Sequence, residues 1–107
     1  MAKHKQQEQS GWDFPAALEI VKCKEGNKEY MRERRARRPF GRTVLVCQYP
    51  MDAEAAREPH GKMITWRLAK RAARDFLRVS FINTAIVSAI PQKDGGYMIH
   101  FYGAYDR

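Results

Sequence analysis

The sequence lacks any apolar run long enough to cross a membrane. A membrane-spanning helix needs about 20 consecutive apolar residues, and polar residues interrupt every stretch well before that length. The first eleven residues, MAKHKQQEQSG, also lack the hydrophobic core of a secretory signal. We therefore expect a soluble, cytoplasmic protein with no membrane partner, in which residues 1–11 form a flexible basic tail and residues 12–107 form a single domain.

Metal-binding and catalytic signatures are absent as well. The two cysteines, Cys23 and Cys47, have no CxxC spacing, so we expect buried thiols and no disulfide. His60 and His100 do not complete a zinc-ligand pair with them. No serine lies in a nucleophile elbow, and no paired carboxylates or glycine-rich phosphate loop occur. The sequence predicts a non-enzymatic protein without metal or cofactor.

Positive charge is abundant and concentrated. The net charge is +8. Residues 28–42 carry seven basic and two acidic residues, and residues 62–78 carry six basic and one acidic, so that each segment has a net charge of +5 while the rest of the chain sums to −2. Positive charge concentrated in two segments creates a local electric field that attracts anions such as nucleic acids.

The first basic segment contains the run RERRARRPFGR at residues 32–42. Arginine outnumbers lysine there by six to none, and a guanidinium can hold a phosphate through two hydrogen bonds. A solvated loop or a nuclear-targeting signal would have a similar composition. We predict phosphate contacts from Arg32, Arg34, Arg35, Arg37, Arg38 and Arg42.

The second basic segment has the periodicity of an amphipathic helix over about residues 64–78. Its predicted apolar side, facing a sheet, contains Leu68, Ala69, Ala72, Ala73, Phe76 and Leu77. Like charges three and four residues apart lower helix stability unless an anionic partner compensates. We predict that the opposite side, pointing to solvent, binds such a partner through Arg67, Lys70, Arg71, Arg74 and Arg78.

The remaining patterns predict strands. Residues 17–24 favour a strand, residues 28–38 a second strand or a short helix, and residues 42–49 a central strand with Val44 and Val46 on one side and Leu45 and Cys47 on the other. A short helical turn capped by Asp52 is expected to end at Pro59-His60-Gly61. Residues 84–90 and 97–105, separated by PQKDGG, read as a C-terminal β-hairpin. The predicted fold is α+β: an antiparallel sheet of four to five strands with the helix on one face.

Aromatic residues on the last strand offer a further candidate site. Tyr97, Phe101 and Tyr102 could stack on unpaired bases if the sheet is open, although core packing is the favoured interpretation for most of these rings. The segment lacks the glycine and basic pattern of a ribonucleoprotein motif. Trp12 and Trp66 are expected to pack in the core.

Two functional hypotheses follow. The first is a nucleic-acid-binding protein that contacts the phosphate backbone of DNA or RNA with little sequence specificity. The second is a small interaction protein that docks on an acidic protein or a nucleoprotein complex. Small single-domain inhibitors encoded by phages and mobile elements, anti-CRISPR proteins among them, share this size and paucity of motifs. The sequence leaves the oligomeric state open.

Overall fold

The computed structural model describes residues 12–36 and 42–105, which form five strands, a short 3-10 turn and one long helix. In chain order the elements are β1 (Leu18–Glu25), β2 (Lys28–Arg35), β3 (Arg42–Met51), the 3-10 turn (Ala55–Arg57), α1 (Pro59–Val79), β4 (Thr84–Pro91) and β5 (Tyr97–Tyr105).

All strand pairs are antiparallel, and the strand order across the sheet is β2-β1-β4-β5-β3. Helix α1 packs on β4, β5 and β1, on one face of the sheet. The predicted α+β architecture and the C-terminal hairpin β4–β5 are therefore confirmed, and the sheet has five strands. Among the described residues, no helix is both long and apolar enough to cross a membrane.

The core lies between α1 and the middle of the sheet. Ala69, Ala73 and Leu77 of α1 are fully buried. They pack with Trp66 against apolar side chains of the three central strands, of which Phe101 is the largest. Two alanines at the contact allow the helix to lie close to the strands. Trp66, 4% exposed, packs as predicted, whereas Leu68 is 51% exposed and lies outside the core.

Helix α1 begins earlier than the sequence pattern indicated. The expected break at Pro59-His60-Gly61 is wrong, because Pro59 occupies the first turn of the helix, where its missing amide proton costs nothing. The turn before it does form. The Ala55 amide donates to Oδ1 of Asp52 over 2.9 Å, as expected for a cap.

Strands β1 and β2 form a hairpin whose turn is made by Gly26, with a φ of +66°. Residues 28–35 thus adopt the strand and not the helix, and the strand expected at 17–24 is observed one residue later. All eight residues of β1 pair with β2, but only Leu18–Val21 pair with β4. The distal half of this hairpin is therefore two-stranded.

Strand β3 lies at the edge of the sheet, so the predicted central position is wrong. A β-bulge between Leu45 and Cys47 places Val46 out of register, and the alternation of side chains changes phase there. As a result Val44 and Cys47 share one face, opposite to the predicted grouping. Apolar residues on both sides of this strand reflect an exposed edge and not a buried centre.

The two thiols are free and half-buried, which corrects the expectation that both are buried. Cys47 pairs with Phe101 on the face under α1, whereas Cys23 pairs with Tyr30 at the far hairpin. They cannot form a disulfide with each other across the sheet.

Candidate nucleic-acid interface

The basic flank of α1 faces the β2 side of the molecule. This flank comprises Arg67, Lys70, Arg71, Arg74 and Arg78. At about 100° per residue, these five residues fall on one side of the inward-facing Ala69 and Ala73, whereas Phe76 and Leu68 fall on the other side. At 1.5 Å per residue the flank extends over about 16 Å along the helix.

Glu33 of β2 holds the middle of the basic flank in place. Its Oε1 accepts a hydrogen bond from Nζ of Lys70 over 3.3 Å, and its Oε2 accepts one from Arg74. All three side chains are partly exposed, at 28% for Lys70, 37% for Arg74 and 29% for Glu33. The expectation that the whole stripe points to solvent is thus wrong for Lys70 and Arg74, which lean toward the sheet.

The outer members of the flank differ from one another. Arg78 donates to Oδ1 of Asp75 over 2.8 Å within the last turns of the helix. Arg67 and Arg71 are exposed, and neither forms an ion pair with a described residue. Five cations therefore face two carboxylates, Glu33 and Asp75, and the flank retains a net positive charge.

Beyond Glu33, β2 and the end of α1 enclose a small cavity of about 210 Å³. Cations outnumber carboxylates in its lining, which is composed of Lys22, Glu29, Tyr30, Met31, Arg74 and Arg78. Nζ of Lys22 is already engaged, because it donates to the carbonyl oxygens of Leu77 and Ser80 at the end of α1. Arg74 and Arg78, each paired with a carboxylate of this chain, keep 37% and 60% of their side chains exposed.

The arginines of β2 are divided between the two faces of the sheet. By the register with β1, Arg35 shares the face of Glu33, whereas Arg32 and Arg34 lie on the face away from α1. Arg34 donates through Nε and Nη2 to the two carboxylate oxygens of buried Glu19, over 3.3 Å and 3.2 Å. Hydrogen bonding to Glu19, and then the negative charge of Glu19, raise the pKa of Arg34 above its usual value. The guanidinium group of Arg34 is therefore already engaged within the protein.

The arginine-rich run is not one surface. Arg42 begins β3 at the edge opposite β2, so four strand spacings of about 4.8 Å, or about 19 Å, separate the two strands. Arg37 and Arg38 lie outside the described residues. Among the described arginines of the run, Arg35 lies on the sheet face under α1 and at the edge beside the basic flank, Arg42 lies on that face at the opposite edge, and Arg32 and Arg34 lie on the face away from α1.

The three predicted stacking residues are also divided. Phe101 is 1% exposed and packs edge-to-face on Phe76 at 5.4 Å, so it belongs to the core and cannot stack on a base. Tyr97 faces the helix side and packs on Phe14 at 4.7 Å. Only Tyr102 lies on the face away from α1, where its hydroxyl is 2.8 Å from Nδ1 of His100.

Two features of the molecule were missed by sequence reasoning. The first feature is Glu33, which the alternation in KEYMRERR already separates, together with Glu29 and Met31, from Arg32 and Arg34 of the other face. The apolar groove beside β3, described below, gave no periodic signal because a bulge interrupts that strand. Neither feature includes a metal site, since no three His, Cys, Asp or Glu side chains converge within residues 12–36 and 42–105.

The chain matches no protein-family model, and no curated protein or solved structure is significantly similar to it.

Proposed function

We propose that the protein binds nucleic acid through the phosphate backbone, using the basic flank of α1 together with Arg35. The observation that carries the proposal is the arrangement around Glu33. One carboxylate orients Lys70 and Arg74, while Arg67 and Arg71 beside them have no counter-charge among the described residues. The flank therefore has more cations than carboxylates and keeps a positive field at its surface, which attracts an anion.

The geometry favours backbone contacts over base recognition. Arg67 and Arg71 are four residues apart, about 6 Å along the helix axis, and both point outward. Their guanidinium groups suit bidentate contacts with phosphate oxygens. Backbone contacts fix position on a nucleic acid without reading its sequence, so we expect weak sequence specificity.

The test is a fluorescence-anisotropy titration of labelled duplex and single-stranded oligonucleotides at several salt concentrations. For about four phosphates neutralised on duplex DNA, the log-log slope of affinity against salt is about −4. The double variant Arg67→Gln, Arg71→Gln is expected to have a slope shallower by about 2. The matched control is Arg57→Gln, Lys93→Gln, which removes the same charge from the 3-10 turn and the β4–β5 loop.

Absence of binding at low salt overturns the proposal, and so does an equal loss in the control variant. Comparison of the two oligonucleotides then shows whether the protein prefers duplex or single-stranded DNA. Repetition with RNA oligonucleotides shows whether it prefers DNA or RNA.

A second candidate function is docking on an acidic protein or a nucleoprotein complex. It is favoured by the partners that the flank already has, because Lys70, Arg74 and Arg78 all bind carboxylates within this chain. Affinity capture at moderate salt separates the two functions. A defined protein retained after nuclease treatment supports docking, whereas loss of the captured material supports direct nucleic-acid binding.

A further inference from the structure

An apolar groove lies between α1 and β3, on the side of the helix opposite the basic flank. Its volume is about 530 Å³, and no residue that lines it is charged. The lining consists of Val44, Val46, Phe76, Ser80, Phe81 and Ile82.

The groove is bordered by large apolar side chains that the folded chain leaves in solvent. Phe81 is 101% exposed and lies two residues beyond the end of α1, and Val79, the last residue of α1, is 84% exposed. Val44 and Val46 of β3 are 49% and 37% exposed. Contiguous exposed apolar surface of this kind marks an interaction site.

The two edges of the sheet are protected very differently. Six of the eight residues of β2 are charged, whereas Arg42 is the only charged residue among the ten of β3. Charged side chains are a common means of keeping an edge strand from association. The bulge at Val46 and Pro50 restrict backbone pairing along β3, so the contact assigned to this edge is side-chain packing in the groove.

We propose that the groove binds a second copy of this chain, in a two-fold symmetric dimer in which Phe81 of each protomer enters the groove of the other. A two-fold interface requires a self-complementary patch. This patch contains both a group that can insert and a site that can receive it: the fully exposed phenyl ring of Phe81 and the apolar groove at whose rim it lies.

Charge further favours a second copy over another occupant. A chain with a net charge of +8 repels its own copy over most of its surface. The lining of the groove is uncharged and lies on the opposite side of α1 from the basic flank, so two copies meet there with less repulsion than at the basic flank. An acidic partner would find no basic side chain in the groove lining to recognise.

The exposed apolar area is a large part of what a small dimer interface buries. The exposed parts of Val79, Phe81, Val44 and Val46 amount to on the order of 450 Å², of which the phenyl ring supplies about 200 Å². Standard interfaces bury about 800 Å² on each partner. Backbone and polar atoms at the rim of the groove supply the remainder.

Sedimentation equilibrium of the full chain between about 1 and 500 µM, in buffer without nucleic acid, tests the dimer. We expect a monomer–dimer equilibrium, and we expect Phe81→Glu to raise the dimer dissociation constant at least ~100-fold, because the substitution acts twice in a symmetric pair. Since Phe81 is fully exposed, this variant keeps the monomer fold, which circular dichroism checks. The matched control is Ile64→Glu, which makes the same change at a 44% exposed site on the outer side of α1.

A monomer at every concentration overturns the proposal. A dimer that Phe81→Glu leaves intact, or that Ile64→Glu weakens equally, also overturns it, because the contact then lies elsewhere. If the protein is a monomer and binds apolar peptides, the groove has another occupant, and this result also counts against the dimer. None of these outcomes depends on the basic flank, so failure here is separate from failure of nucleic-acid binding.

Discussion

Nζ of Lys70 lies 3.3 Å from Oε1 of Glu33, although 37 residues separate the two in the chain. The contact joins α1 to the edge strand β2, and it places a carboxylate inside the surface proposed to bind phosphates. The same carboxylate therefore has two opposite effects: it stabilises the fold slightly and it repels the ligand.

Replacement of this carboxylate by an amide separates the two effects. We expect Glu33→Gln to bind oligonucleotides about three- to tenfold more tightly, because a negative charge near the phosphates is removed. The free energy of unfolding should fall by less than about 1 kcal/mol, since the ion pairs are partly exposed. Anisotropy titration and urea unfolding measure these changes. Glu54→Gln, outside the flank, is the control, and weaker binding by Glu33→Gln would contradict the assignment of this surface.

Lys22 gives a second prediction, on stability alone. Its ammonium group caps the end of α1 by donating to the carbonyl oxygens of Leu77 and Ser80, the latter over 3.0 Å. Lys22→Met keeps the aliphatic stem but removes the donor and its charge, and we expect a loss of about 1–2 kcal/mol in the free energy of unfolding. Lys24→Met, on the same strand and exposed, should be nearly neutral. Equal effects of the two substitutions in urea unfolding would show that the cap contributes little.

Two glycines are expected to respond to alanine with opposite signs. A Cβ atom on Gly96 would lie 2.4 Å from the carbonyl oxygen of Met51, so Gly96→Ala must displace backbone and should cost at least ~1–3 kcal/mol. Gly61 lies inside α1, where an added Cβ meets its nearest neighbour at 3.4 Å. Gly61→Ala should therefore stabilise the protein by about 0.5–1 kcal/mol, the usual difference in helix propensity. Thermal unfolding of both variants measures the difference, and a shared sign would contradict it.

The environment of Tyr49 leads us to expect that the free energy of unfolding depends on pH in the alkaline range. Burial, and then the negative charge of Cys47, raise the pKa of Tyr49 above its ordinary value of 10.0. Between 10.0 and this higher value the unfolded chain loses the Tyr49 proton while the folded chain keeps it, so stability falls as pH rises through that interval and is unaffected below it. In Tyr49→Phe the fall above pH 10 should be smaller. Urea unfolding at several pH values measures it, with Tyr30→Phe as control, and identical curves for wild type and Tyr49→Phe would contradict the prediction.

The sequence was sufficient for the main architecture because its strongest signals are local. The inward-facing alanines and Leu77 follow the helical period, and the glycines before Tyr97 favour a hairpin. The helix from about residue 64 and strands β4 and β5 were therefore predicted correctly, whereas the first turn of α1 was not. Strand order is not local. The position of β3 at the edge depends on which strands pair across the chain, and the bulge at Val46 is visible only in the register with β5.

The candidate site was predicted in part for the same reason. Helical spacing alone places the basic flank on one side of α1, as expected from Arg67 and Arg71. The separation of Arg42 from Arg35 depends on the strand order, and the contacts of Glu33 depend on the packing of α1 beside β2. Composition identified the excess of positive charge correctly. It could not show that this charge is divided among the basic flank, the sheet face of Arg32 and Arg34, and the β3 edge with Arg42.

The short pairing between β1 and β4 has a consequence for local unfolding. Beyond Val21 the first hairpin is held by its own two strands, by the hydrogen bond that the Lys22 amide donates to the carbonyl oxygen of Asn83, and by the Lys22 cap. A two-stranded ribbon alone is only marginally stable in water. Amide protons from Lys24 to Tyr30 should therefore exchange with solvent through openings that leave the rest of the sheet intact. An anion that binds the basic flank at Arg74 would slow that exchange, since it would rest against the part of α1 to which this ribbon is tied.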